Sequence, residues 1–212
     1  MKSAVVVIAA LLFLSLPTHA ANKPAPAAKT VYDYSLVALD GKVVPLSTYK
    51  GKVLMVVNLA SQSIYKNQLH ALEDLQKAYA DKGLVLIGIP SEDFGKEELA
   101  DNSAIQHFYV DTEHITFPVF GKASLRGKDE IPLAHFLTDA KTGLPGGDLH
   151  WNYTKFVIDR EGKPVLRFEV DADPADPNFR VQIEQVLDGT FKKKDGPAEI
   201  APKPPASDED EG

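Results

Sequence analysis

From Lys52 to Ala60 the chain reads "KVLMVVNLA", a nearly continuous apolar run. A run with no polar face suits a strand covered on both sides. The spacing then changes: Leu69, Leu72, Leu75 and Tyr79 recur at intervals of three, three and four, which predicts a helix with one core-facing stripe. Gly83 follows its last turn as a terminator. "LVLIGIP" is a second buried strand, so a right-handed strand–helix–strand unit results. The polar turn "ASQS" between the first strand and the helix places Ser63 at or near the first helical turn. Unpaired backbone N–H groups there would stabilise a developing anion.

Outside this unit the pattern is equally readable. "YSLVALDGKVVPLSTY" has two short apolar runs around Asp40-Gly41, a hairpin signal. "SAIQHFY" reads as part of a second helix and "ITFPVF" as a short strand or extended segment. "YTKFVIDREGKPVLRFEV" alternates on both sides of "DREG" and predicts a second hairpin. "NFRVQIEQVLDG" closes the domain as a helix ending near Gly189. This element order is that of an α/β, thioredoxin-like fold: a central mixed β-sheet flanked by helices, with an N-terminal β-hairpin.

The ends have a different composition. Residues 1–20, "MKSAVVVIAALLFLSLPTHA", follow a lysine with an apolar run and a small-residue site, the pattern of a cleavable secretory signal. The run is too short to span a bilayer comfortably, and no later stretch has spanning length. The expectation is a periplasmic or secreted protein with no membrane insertion after signal removal. Residues 21–30 read as a Pro/Ala-rich flexible linker, 31–191 as one domain, and 192–212 as a disordered Pro, Lys and acidic tail. The net charge of −7 carries no basic stripe, so nucleic-acid binding is not expected. The cysteine count is zero, which excludes thiolate metal sites and thiol redox cycles within these 212 residues. Once Met1 leaves with the signal, Met55 carries the remaining sulfur.

Taken alone, Ser63 reads as a nucleophile, a helix cap, or the remnant of a more reactive group. The cap is favoured, because serine satisfies an orphan N–H there and no base lies beside it. His70 is seven residues on, about 10 Å along a helix, too far to activate it. Glu92, Asp93, Glu97 and Glu98 form either a solvated acidic loop or a cation site suited to calcium or magnesium. The six histidines show no His-x-His or His-x-x-x-His spacing, which argues against zinc. No cofactor is called for.

Three segments in order, "NLASQS", "IPSEDFGKEE" and "WNYTKFVIDREGKPVLRF", resemble the glutathione peroxidase family over roughly Tyr32 to Leu187. They are similar to its Asn-Val-Ala-Ser-x-Cys/Sec, Phe-Pro-Cys-Asn-Gln-Phe-Gly-x-Gln-Glu and Trp-Asn-Phe-Thr-Lys-Phe runs. The resemblance implies a reactive cysteine or selenocysteine at the strand-to-helix turn, surrounded by a glutamine, a tryptophan and an asparagine. Carried over, these positions fall on Ser63, Glu97, Trp151 and Asn152; the cysteine of the second motif falls on Ser91. Trp151 and Asn152 are retained, either as a surviving pocket or as a packing anchor and a turn residue. Ser63 and Glu97 depart from the pattern. Peroxide reduction needs a polarisable anion that leaves as a sulfenic or selenenic acid, which serine cannot supply. A carboxylate at 97 further disfavours a second anion.

Two function classes follow. The first is an exported, non-catalytic derivative that binds an unknown small ligand or protein partner. The second is an oxidoreductase still acting on hydroperoxides in the oxidative stress response, by a non-thiol or metal-assisted route.

Overall fold

The computed structural model describes residues 29–142, 144 and 147–192. The expected signal, the linker up to residue 28, and the tail from residue 193 lie outside the described residues.

The N-terminal hairpin pairs β1 (Ser35–Val37) with β2 (Val43–Pro45), antiparallel. Gly41 adopts φ +83 in the connection, a conformation that costs glycine little. The central sheet contains β3 (Val53–Leu59), β4 (Leu84–Pro90), β5 (Lys155–Ile158) and β6 (Pro164–Phe168) in the order β4-β3-β5-β6. β3 runs parallel to β4 and antiparallel to β5, and β5 pairs antiparallel with β6, so the sheet is mixed. The expected extended segment at 115–120 adds single bridges, Phe120 to Ala38 and Val119 to Gly88.

Every residue of β3 is buried, and its side chains divide between two cores as the pleat requires. Val53, Met55, Val57 and Leu59 join Leu69, Leu72, Leu75 and Tyr79 of α1 (Gln68–Tyr79). The same core takes Ile105 of α2 (Asn102–Gln106) and, from the C-terminal helix, Phe179 and Ile183. Leu54 and Val56 face the other core, with Leu133 and Leu137 of α3 (Pro132–Thr138) and Leu36 and Leu46 from the hairpin region. The C-terminal helix, α4 (Pro177–Asp188), ends at Gly189 with φ +77, where the sequence placed its stop.

Several local differences from the sequence reading have physical causes. A 3₁₀ turn, Ile64–Asn67, separates Ser63 from α1, as such turns often do at helix starts. α1 stops at Tyr79, and Gly83 instead closes the following turn by donating to the Ala80 carbonyl at 2.9 Å. α2 continues into a wider π-type turn over His107–Thr112. α3, seven residues long, is a helix that periodicity did not single out; Pro132 preorganises its first turn.

Met55 is fully buried and lies between Leu86 on β4 and Val157 on β5. Peroxide needs access to a thioether to oxidise it. The folded chain without its first 20 residues is therefore expected to gain no oxygen on brief peroxide exposure, by intact mass. In denaturant it should gain one, located by fragmentation at Met55. Rapid oxidation in the folded state would contradict burial of β3.

Candidate functional site

The turn that leaves β3 is held from several sides. Ser63 N–H donates to the Ala60 carbonyl at 3.3 Å, and Ser63 C=O accepts from Lys66 N–H at 3.1 Å. Ser63 is 1% exposed, has extended backbone (φ −65, ψ 147), and accepts a long contact from Tyr65 N–H at 3.4 Å. Its hydroxyl thus occupies a capping position on the 3₁₀ turn. The Ala60 carbonyl also accepts from the Tyr153 hydroxyl at 3.3 Å. Gln62 N–H, one residue before Ser63, donates to the Glu97 carbonyl at 2.8 Å. That bond ties the turn to the loop after β4.

The loop after β4 brings Glu97 to Asn152. Asn152 is fully buried, and its Nδ2 donates to Glu97 Oε2 at 2.9 Å and to the Phe94 carbonyl at 3.2 Å. Two left-handed residues, Gly95 (φ +68) and Lys96 (φ +53), precede Glu97, and left-handed Tyr153 (φ +61) follows Asn152. Non-glycine residues in this region cost of order 1–3 kcal/mol and persist where surrounding contacts over-determine them. At Tyr153 those contacts are its N–H on the Asn58 carbonyl at 2.8 Å and its hydroxyl on Ala60. Burial pushes that hydroxyl's pKa far above the usual phenol range, so it remains a donor. Trp151 is partly buried and packs against both cores. Its carbonyl accepts from Asn58 Nδ2 and Thr154 Oγ1, each at 3.1 Å.

The four acidic residues of the loop go to separate partners. Glu92 pairs with Lys122 at 2.7 Å. Asp93 accepts from the Ser91 hydroxyl at 2.9 Å and from Leu125 N–H at 2.5 Å. Glu97 faces Asn152. Glu98, which the sequence could only place in an acidic loop or cation site, is 6% exposed. It accepts from the Ser61 hydroxyl at 2.5 Å, Ser61 N–H at 3.3 Å, Leu99 N–H at 2.7 Å and the Tyr109 hydroxyl at 2.8 Å. Burial raises its pKa against these donors, which favour the carboxylate. Glu98 is therefore a clamp on the turn, and a solvated loop does not describe it. Among the described residues no group of three or more His, Cys, Asp or Glu is placed to hold a metal, and no helix is long and apolar enough to cross a membrane.

Sequence reasoning missed a second buried ionisable group. Lys155 is fully buried at the start of β5. It donates to Gln68 Oε1 at 2.5 Å and to the Ala172 carbonyl at 2.8 Å, while Gln68 Nε2 donates to the Val170 carbonyl at 2.6 Å. The start of α1 is thereby tied to β5 and to the loop before α4. No short-range sequence signal marks it, because Gln68 and Lys155 are 87 residues apart.

A family model for glutathione peroxidase matches residues 31–138, which include Ser63 and Glu97. A glutathione peroxidase of Lactococcus lactis is 38% identical over 156 residues, covering 74% of this chain and 98% of the relative. A hydroperoxy fatty acid reductase of Synechocystis is 38% identical over 169 residues, covering 77% and 99%. Among solved structures, a T. cruzi protein named GPX1 superposes with TM-score 0.60 at 27% identity, over 77% of this chain and 100% of its own. A thioredoxin-family thiol:disulfide interchange protein of Chlorobium tepidum, TM-score 0.56 at 22% identity over 76% of this chain and 99% of its own, shares the fold. With its thioredoxin-like sheet, its strand-to-helix turn at Ser63, and relatives matched along nearly their whole length, the chain belongs to the glutathione peroxidase family.

Proposed function

We propose that this family member is exported and no longer reduces hydroperoxides by thiol or selenol chemistry, and that its pocket serves to bind a small ligand or a protein partner. The observation that carries this reading is a chain without cysteine in which Ser63, the residue that the motif resemblance aligns with the family's reactive position, is buried. A thiol of reference pKa about 8.5 can be tuned to a thiolate near neutrality. A serine hydroxyl ionises far less readily, and its adduct with a peroxide oxygen would be another peroxide.

Export rests on residues 1–20, whose composition is that of a cleavable signal. The binding role rests on Trp151 and Asn152, which match the family's motif in the sequence, with Asn152 followed by the left-handed Tyr153. Relatives are named for glutathione peroxidase and for hydroperoxy fatty acid reduction, which makes hydroperoxides, fatty-acid ones included, the first ligands to test. The metal-assisted alternative draws no support from the acidic residues, since Glu92, Asp93, Glu97 and Glu98 are committed to different protein partners.

A coupled assay tests the reading. The chain lacking residues 1–20, supplied with hydroperoxide and either glutathione or reduced thioredoxin, is expected to turn over no faster than a boiled sample. Robust turnover with either reductant would refute the loss of activity.

A further inference from the structure

Lys155 closes a small hydrogen-bonded network between β5, the start of α1 and the segment that follows β6. Its amine is fully buried and donates to Gln68 Oε1 and to the Ala172 carbonyl. Gln68 Nε2 donates in turn to the Val170 carbonyl at 2.6 Å. Two acceptors satisfy the two N–H bonds of a neutral amine and leave an ammonium one short. A buried N–H without a partner is costly, so a proton added to this amine has to be met by a new acceptor.

The carboxylates acting on the amine come from one side. α1 presents the uncharged Gln68, whereas Asp171, Asp173 and Glu169 all follow β6. Glu169 is paired with Arg167 at 2.7 Å. Asp173 Oδ1 accepts from Ala175 N–H at 2.8 Å, which fixes it in the turn before α4. Asp171 is exposed and has no hydrogen-bond partner among the described residues, yet it adjoins Ala172, whose carbonyl already reaches the amine.

The segment after β6 is also the part that can give. Lys155 belongs to a strand paired on both sides, and Gln68 begins a helix, whereas 169–173 is neither helix nor strand. We propose that 169–173 is a proton-operated latch on the start of α1: with Lys155 neutral it is held through the Ala172 carbonyl, and when the amine takes up a proton it re-forms to bring the Asp171 carboxylate onto the ammonium. The switch falls near neutral pH, because burial brings the Lys155 amine down to about 7. Gln68 directly follows the 3₁₀ turn Ile64–Asn67, so the state of the latch reaches the turn that Ser63 caps. It does not rest on a lost reaction at position 63.

A magnetic-resonance titration of the unaltered chain, Asp171→Asn and Asp173→Asn between about pH 5.5 and 9 tests the latch. Both substitutions are at exposed positions, so the fold is retained in each. In the unaltered chain the Asp171 Cγ resonance should move at the midpoint at which Lys155 Cε titrates. Asp171→Asn should weaken proton binding at Lys155 about tenfold, and Asp173→Asn by no more than about twofold. Amide hydrogen exchange within 169–173, corrected for its intrinsic pH dependence, should change across the same midpoint and lose that change in Asp171→Asn. Equal effects of the two substitutions would overturn the proposal, since the carboxylates would then act only through their field. Exchange within 169–173 that stays constant across the Lys155 midpoint would overturn it as well.

Discussion

The variant Ser63→Cys/Glu97→Gln should consume one equivalent of hydroperoxide at least about tenfold faster than free cysteine near neutral pH. The unaltered chain carries no cysteine, so the expected change is from no reaction to a measurable one. The thiolate attacks one peroxide oxygen, the oxygen–oxygen bond breaks, and the cysteine becomes a sulfenic acid as the alcohol or water leaves with a proton. Three features of the site favour this. Position 63 caps the 3₁₀ turn Ile64–Asn67, and its side chain already accepts from the Tyr65 N–H. The turn is clamped by Tyr153 on Ala60 and by Glu98 on Ser61, so the new thiol is held in place. Glu97→Gln also removes the carboxylate that the Asn152 amide faces. Ser63→Cys alone should fall between the serine chain and the double variant. The rate of peroxide loss and a mass increase of one oxygen on residue 63 check this. A double variant no faster than free cysteine would mean that the surroundings of position 63 no longer support the chemistry.

The second large effect concerns stability against pH. Burial brings the Lys155 amine down to about 7, against the pull of Asp171, Asp173 and Glu169. The geometry agrees. The Lys155 nitrogen has two acceptors, Gln68 Oε1 and the Ala172 carbonyl, which match the two N–H bonds of a neutral amine. In the unfolded chain the same amine titrates near 10.4. Between about pH 7 and 10 the unfolded state therefore binds more protons than the folded one, and stability rises with pH across that window. Below about pH 7 both states are protonated and the contribution is lost. Fully developed, it is on the order of 4 kcal/mol. Tyr109 and Tyr153 act in the opposite sense, because burial raises their pKa and their contribution fades only above about pH 10. Denaturant unfolding of the unaltered chain and Lys155→Met between pH 6 and 9.5 checks this. The stability of the unaltered chain minus that of the variant should increase as pH rises. Two parallel curves would show that Lys155 is not a buried neutral amine.

Much of the fold was legible because its signals are local. The uninterrupted apolar run at Val53–Leu59 and the helical spacing of Leu69, Leu72, Leu75 and Tyr79 each mark one element, and the two meet in one core. Asp40-Gly41 and Gly189 mark turns through backbone conformations that glycine adopts freely. α3 was not legible as a helix because it is short and begins at a proline, which reads equally well as a break. At the site, the resemblance assigned four positions by motif order, and the structure joins two of them, Glu97 and Asn152, directly. What could not be read is which polar residues turn inward. Glu98 stands beside Glu97 in sequence, yet one is buried under Ser61 and Tyr109 and the other faces an amide. The difference is made by left-handed Gly95 and Lys96, and no periodicity encodes it.

Position 63 is expected to have lost its reaction while keeping its place in the fold. The most direct measurement omits every reductant: the unaltered chain, without residues 1–20, is mixed at high concentration with a slight excess of hydroperoxide, and the peroxide remaining is followed over time. No consumption beyond that of buffer is expected, since the folded chain offers neither a thiol nor an exposed thioether. Rapid loss of one equivalent of peroxide per chain would contradict a lost reaction at position 63, whatever the reductant.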